Sequence, residues 1–403
     1  MMRYLLFTFL IVFLFGSCAE KDALSQYRPE IEAPHEVEII PEDETLVLSD
    51  LVDGYELIEP KGIILSSLLQ IEAYDFLWIV QATSIDKDVL HLLDAEGNFI
   101  KTLLKNGQGP NETTGLLTWK VIDDILYMLV WEDRLLRYSL KEGKYLESIP
   151  LPAMGISFTD FAVLGHGKYA FYHSRPNPEG GDYKLYVYDS NKGEMEQAWI
   201  PLYAKADDYF SIGQTNVLYQ REGKCYFYET FQRGIYEVGE DDLKGYISFK
   251  DNEYTMPDGE LFSDYPSVME FIDHCKQSSY IWVHRSIHES RRFILSKFMY
   301  KDGLFHWNVI DKNRWTSRSY TKIKDDVLLD AEMPLLEYMY QIGVQQDVRY
   351  FRLPYDLLQK VMEQKEANGE LDAYARKHPD VMELYKTMNE DSNDLIVVFH
   401  EKQ

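Results

Sequence analysis

Lys105-Asn106-Gly107-Gln108-Gly109-Pro110-Asn111-Glu112 has the glycine spacing of a loop that could wrap a phosphate. Such a cradle joins a strand to a helix and carries a Lys with Ser or Thr in register. No lysine follows at that spacing, and the next segment reads as a strand, so the loop is expected to be a turn, with Glu112 capping local backbone groups. Asn111-Glu112-Thr113 matches the N-glycosylation triplet, an acceptor that matters mainly in eukaryotic secretion. His284 and His288 in HRSIHES are four apart, which suits a shared metal only on one helix face. YIWVHR reads as strand, so this pair is a weak metal candidate and no metal site is expected. Asp273-His274-Cys275 would supply a thiol and its base, but neighbours on an extended chain point to opposite faces. The sequence carries no Gly-x-Ser-x-Gly elbow and no Asp-x-Asp-x-Asp-Gly calcium loop.

Arg285, Arg291 and Arg292 form a compact basic cluster in an acidic chain, with formal net charge −26. They are the candidate ligand-binding residues, set either to hold an acidic ligand or to pair with neighbouring carboxylates. The acidic pairs Asp123-Asp124, Asp207-Asp208, Asp241-Asp242 and Asp325-Asp326 fall mostly in expected turns and read as solvated. Thirty Tyr and seven Trp could stack on a sugar or peptide, although packing between sheets is the expected use. No catalytic residue and no cofactor is expected from these motifs. The negative charge disfavours nucleic acid as a partner.

These residues must be positioned by a repeat. Its second half reads LHLLDAEGNFIKTL (90–103), LRYSLKEGKYLESI (136–149), LYVYDSNKGEMEQAW (185–199), IYEVGEDDLKGYISF (235–249) and SKFMYKDGLFHWNVI (296–310). Preceding strands align as FLWIVQ, ILYMLV, KYAFYH, KCYFYE and YIWVHR. The turn glycines 97, 143, 193, 245 and 303 recur about every 50 residues, the period of a β-propeller blade. The length from 36 to 352 at that period predicts an all-β, six-bladed propeller, with seven blades as the alternative. A sixth blade would come from YTKIKDDVLLDAEM (320–333) and strands of the chain ends. Residues 353–390 carry an apolar helical stripe (Leu357, Leu358, Val361, Met362) broken by Gly369 and restarted at Pro379. They read as two inserted helices that pack on the ring, before a closing strand within 391–403 that removes the free edge.

The amino terminus supplies an address. Arg3 precedes a short apolar run, too short to span a bilayer, followed by Gly16-Ser17-Cys18. Residues 1–17 read as a lipoprotein signal, Cys18 as the lipidated residue, and 18–35 as a polar tether. Glu20-Lys21-Asp22 is similar to surface-export tags. Cys225 and Cys275 are expected to be separate buried thiols.

In this order, lipobox, blade ending GNFIKTLLKNGQGPNE, further blades, helical insert and terminal strand, the chain resembles the six-bladed, NHL-like propeller lipoproteins of Bacteroidetes-type bacteria. Their first clear blade carries a G-x-G-P-G-E-like loop, matched here by Gly107, Gln108, Gly109, Pro110 and Glu112, with Asn111 in place of the third glycine. The resemblance implies fold and an outer-membrane address on the periplasmic or surface face, and no settled biochemical role. The expected function is a non-enzymatic binding or scaffold module. It is held to the membrane by its lipid and recognises a peptide, a glycan or an envelope protein. The alternative is a metal-dependent hydrolase or lactonase, or a lyase, working in the propeller channel.

Overall fold

The computed structural model describes residues 27–402 apart from 66, 84–88, 110, 132, 153–157, 174–182, 203–215, 302 and 334–340. Cys18, the signal at 1–17 and Pro110 therefore lie outside the described residues.

Alternating apolar strands joined by tight turns fold into seven sheets. Blade 1 comprises Ser67–Tyr74, Leu77–Thr83, Val89–Asp94 and Phe99–Asn106, edged by Glu112–Thr113. Blade 2 comprises Leu116–Ile122, Ile125–Val130, Arg134–Ser139 and Lys144–Tyr145, with Ile149–Pro150. Blade 3 is Asp160–Gly165, Lys168–Tyr172, Tyr183–Asp189 and Glu194–Pro201. Blade 4 is Leu218–Arg221, Lys224–Phe227, Gly234–Val238 and Leu243–Phe249, to whose outer edge His35–Val37 adds in parallel. Blade 5 is Trp282–Glu289, Phe293–Tyr300, Leu304–Asp311 and Thr316–Tyr320. Blade 6 is a three-stranded sheet of Lys322–Asp325, Ala331–Met333 and Thr45–Val47. Blade 7 joins Gln341–Gln345, Val348–Leu353 and Leu395–Glu401 to Val52–Ile58. The carboxy-terminal strand Leu395–Glu401 thus pairs with Val52–Ile58 from the amino-terminal part of the chain, which closes the ring.

The count is seven blades, not the six favoured by the repeat spacing. Blade 6 hid from that count because its strands are only three or four residues long and one is borrowed from residues 45–47. Its strands do not separate its neighbours at the axis, where the first strands of blades 5 and 7 touch.

The core is a series of seams between sheets. Ile79, Leu92 and Leu104 of blade 1 meet Trp119, Met128 and Leu136 of blade 2. Leu185 and Tyr172 of blade 3 meet Leu218, Phe227 and Tyr236 of blade 4. The largest seam joins blades 5, 6 and 7 to the helices. Those helices number three where two were expected: Tyr355–Ala367, Leu371–Lys377 and Pro379–Thr387. Leu357, Leu358, Val361 and Met362 form the buried stripe of the first. Gly369 follows it at φ +73°, the left-handed geometry that terminates a helix. Tyr374 donates to Leu328 O (2.9 Å) and Lys365 to Asp330 O (2.8 Å), fixing the helices over blade 6.

Two sequence expectations need correction. The tether does not extend to residue 35: Tyr27 and Arg28 are buried, and Arg28 donates to Met256 O and Asp258. Gly245 is not a turn residue but sits inside Leu243–Phe249. A side chain there would strike the carbonyl of Glu32 and the side chain of Ile31, so its glycine makes room for the amino-terminal segment.

Candidate functional site

The glycine loop is held by its own carboxylate. Glu112 Oε2 accepts from Gly109 N (2.9 Å), and Glu112 N donates to Gly109 O (3.1 Å). Arg134 donates to Glu112 O (2.7 Å), and Gly107 N to Thr113 O (3.0 Å). A Cβ at Gly107 would overlap the Glu112 carboxylate. The amides of both loop glycines are therefore spent within the loop, which leads into the first strand of blade 2. Gln108 lies on this turn, in which no described bond uses its side chain.

The two candidate histidines are on one strand, Trp282–Glu289, interrupted by two register shifts, and they face different cavities. His284 lines a small pocket beside Tyr228 and Phe249, whereas His288 lines a cavity between blades 5 and 7. Burial lowers both rings to about 3. At His288 the charges of Arg349 and Lys297 push the same way. His284 is spanned by Tyr228 Oη at Nδ1 and Ser296 Oγ at Nε2, each 2.8 Å away. A Ser–His contact invites a nucleophile reading, but so weak a base abstracts a hydroxyl proton poorly at neutral pH. Ser296 also accepts from Asn308 (3.3 Å), so the group is a buried relay. Among the described residues no three His, Cys, Asp or Glu side chains converge as metal ligands.

Asp273-His274-Cys275 is helical, within Val268–Gln277, not extended as read from the sequence. His274 instead meets Glu260 (2.8 Å), and burial raises the Cys275 thiol to about 12. Cys225 is likewise buried and free. Asp325 departs from the solvated reading of the acidic pairs. It is fully buried and accepts from Val327 N (3.0 Å) and Leu328 N (2.7 Å).

The arginine cluster separates. Arg291 pairs with Asp347 (2.8 Å) of blade 7, and Arg292 lies 3.8 Å from Asp311 of its own blade. Both belong to the turn after the first strand of blade 5. Arg285 lies within that strand, its guanidinium 5.1 Å from the Phe305 ring centroid.

Arg285 enters a site that its sequence neighbours do not. A cavity of about 410 Å³ lies among the first strands of blades 5, 7 and 1, with Arg285, Ser286 and His288 on one wall. Lys297 and Trp307 come from the next strands of blade 5, Gln341, Ile342 and Arg352 from blade 7, and Ser67, Leu68 and Leu69 from blade 1. Three basic side chains thus share a wall in which no described residue is a carboxylate. Arg285 and Lys297 are direct cross-strand partners, and Lys297 also stands 4.4 Å from the Trp307 ring centroid. Arg352 donates to Ser67 Oγ and lies 3.6 Å from Asp394 behind the wall. The bridge from Arg352 to Ser67 ties blade 7 to blade 1. Elsewhere around the axis, side chains fasten one first strand to the next in the same way. Gln70 donates to Trp119 O (3.1 Å), Glu72 accepts from Val121 N (2.9 Å), and Gln220 donates to Val163 O (2.7 Å). The cavity is therefore built on fixed strands, not on loops.

Lys297, Arg352 and Ser67 escaped the sequence reading. Arg285 and Lys297 flank the same hairpin, so a pairing register would have matched them, but the two shifts in that strand obscure it. Arg352 is more than fifty residues away and reaches the site only through ring closure.

A family model described as a domain of unknown function, DUF4934, matches residues 35–400. A crystal structure of a protein from Bacteroides fragilis NCTC 9343, described as exported, superposes with a TM-score of 0.65 at 17% identity, covering 92% of this chain and 99% of that one. More distant are an extracellular domain of a hybrid two-component system of B. thetaiotaomicron (12% identity, TM-score 0.37, 72% of this chain and 33% of that one) and the Neurospora crassa Pan2 WD40 domain (11%, 0.35, 62% and 64%). No curated protein matches. The first of these likenesses supports the propeller fold alone. No helix among the described residues is long and apolar enough to cross a membrane.

Proposed function

Since the chain belongs to the DUF4934 family over residues 35–400, whose description gives no activity, we propose from its own geometry that it is a binding module of the cell envelope. In this reading Cys18 carries a lipid that holds the propeller at the outer membrane, and the described body recognises a glycan, peptide or partner protein without turning it over. The Bacteroides fragilis relative is described as exported, which supports an address outside the cytoplasm. The observation that carries the binding reading is the strand-built cavity of about 410 Å³ among blades 5, 7 and 1, a volume in the range of small-molecule sites. Beside it, the two histidines that a metal-dependent hydrolase could use are divided between two cavities.

The test is a binding screen of the purified full chain against immobilised glycans and peptides, repeated with Ser286→Trp, which fills the cavity. A ligand bound by the native chain and lost by the variant supports the module. Binding indifferent to the filled cavity, or turnover of a bound substrate accompanied by stoichiometric zinc or calcium, overturns it.

A further inference from the structure

We infer that the cleft between blades 4 and 5 receives the acetamido group of an N-acetylated sugar. This goes beyond the binding-module reading, which rests on a different cavity.

Unpaired polar atoms carry the argument. Gln232 and Trp282 line the cleft, and each is 3% exposed. Gln232 Oε1 and Trp282 Nε1 nevertheless have no hydrogen-bond partner among the described residues. Such atoms are costly to bury unless something else completes them. Other polar groups of the wall are engaged. Tyr228 Oη and Ser296 Oγ occupy the two ring nitrogens of His284, and Thr230 donates to His284 O (2.8 Å). Gln232 is fixed in orientation, because its backbone N–H donates to Glu229 O (3.1 Å) and its Nε2 to Tyr27 O (3.3 Å). That leaves Oε1 as the acceptor. Indole and carboxamide thus offer one donor and one acceptor.

Charge and donor count narrow the ligand. Arg28 pairs with Asp258 (2.6 Å), and Arg233 with Asp251 (2.5 Å) and Asp258 (3.1 Å), so the wall is balanced and calls for a neutral group. A secondary amide matches it: the N–H donates to Gln232 and the oxygen accepts from Trp282. The second lone pair of that oxygen is open to the Nε–H of Arg28 or Arg233, each also without a partner. A primary amide would bring a second N–H, for which the buried wall offers no further unpaired side-chain acceptor among the described residues.

Size selects the end of a ligand. The cleft holds about 60 Å³, about twice a water's share of the liquid, so it admits a group of about four non-hydrogen atoms and not a sugar ring. Tyr228, Phe231, Phe249 and Tyr254 give it an aromatic lining for the methyl and for the face of the attached sugar. The exposed Lys250 and Asp251 supply polar groups for ring hydroxyls. Backbone strain falls at the same place. Phe231 (φ +70°), between Thr230 and Gln232, and Val283 (φ +51°), between Trp282 and His284, take the left-handed region. For a β-branched residue that geometry is costly, and it persists where the surroundings hold a side chain ready for use.

The experiment follows the indole N–H resonances of the isotope-labelled full chain during titration with N-acetylglucosamine, glucose and the neutral peptide N-acetylalanine methylamide, alongside calorimetry. The resonance missing from Trp282→Phe identifies Trp282. N-acetylglucosamine should move that resonance, and glucose, which lacks the amide, should not. Trp282→Phe should weaken the sugar about twofold to tenfold, the range for losing one neutral hydrogen bond, with an unchanged circular dichroism spectrum. Ile281→Trp, which narrows the same cleft, should abolish binding and decides the matter if Trp282→Phe does not fold. A Trp282 resonance indifferent to N-acetylglucosamine overturns the inference and leaves ordered water to complete both atoms. Glucose acting as strongly overturns the amide, and the peptide binding as tightly overturns the sugar. If N-acetylglucosamine binding is lost in Ser286→Trp but kept in Trp282→Phe and Ile281→Trp, the ligand belongs to the larger cavity: the inference falls and the binding module stands. Binding kept in Ser286→Trp and lost in Ile281→Trp supports the inference even if the larger cavity binds nothing.

Discussion

Lys184→Met probes how this propeller tolerates charge in its interior. Lys184 and Glu229 are both fully buried at the seam of blades 3 and 4, with Nζ 2.9 and 2.8 Å from the two carboxylate oxygens. Tyr172 donates to the same carboxylate (2.5 Å), and the Tyr27 ring covers the ammonium at 4.7 Å. Removing the cation strands an anion that water cannot reach, a change that costs about 3–5 kcal/mol. Unfolding entropy of about 2.1 cal/mol/K per residue gives roughly 0.8 kcal/mol/K for a body of this length, so the melting temperature should fall by about 4–6 °C. Lys184→Met/Glu229→Gln keeps the shape and removes both charges, and should recover most of that loss because the pair's attraction largely offsets its own desolvation. Differential scanning calorimetry of the native chain, both single variants and the double variant completes the cycle. If Lys184→Met melts within about 1 °C of the native chain, or if the double variant melts as low as the single, the reasoning is wrong.

Further expectations concern acid, anchor and edge. Burial raises Asp325 to about 6, above its unfolded value, so the stability it contributes is present below about pH 4 and is lost as pH rises to 6. Asp325→Asn should therefore stabilise the protein by up to about 3 kcal/mol at pH 7, with the gain vanishing towards pH 4 in pH-dependent melting; a gain that grows on acidification would refute the assignment. Cys18→Ala should move the protein from the membrane pellet to the soluble fraction, and retention in the pellet would remove the lipid anchor from the proposal. Gly245→Ala should force residues 31–32 off blade 4 at a cost of about 1–3 kcal/mol, seen as faster amide exchange across 28–34, and unchanged exchange there would show that the contact is not decisive.

What the sequence disclosed, and what it withheld, follows one physical line. Gly97, Gly143, Gly193 and Gly303 all take positive φ in hairpin turns, a local requirement that repeats with the blade and so is readable along the chain. The stripe of Leu357, Leu358, Val361 and Met362 is likewise local, since a helix face depends only on spacing. Blade 6 was illegible because it has no local unit: Thr45–Val47 and Lys322–Asp325 pair across nearly 280 residues. Gly245 looked like its four counterparts, yet its reason is the carbonyl of Glu32 more than 200 residues away. The candidate site shares that property. Arg285 was visible as part of a basic run, but its neighbours in the cavity wall are Lys297, fixed by a register that shifts twice, and Arg352, delivered by ring closure. The basic run itself dissolved because Arg291 turns to Asp347 and Arg292 towards Asp311. In a propeller the seams between blades hold the long-range contacts. A cavity built on three first strands is therefore a feature that no single stretch of sequence discloses.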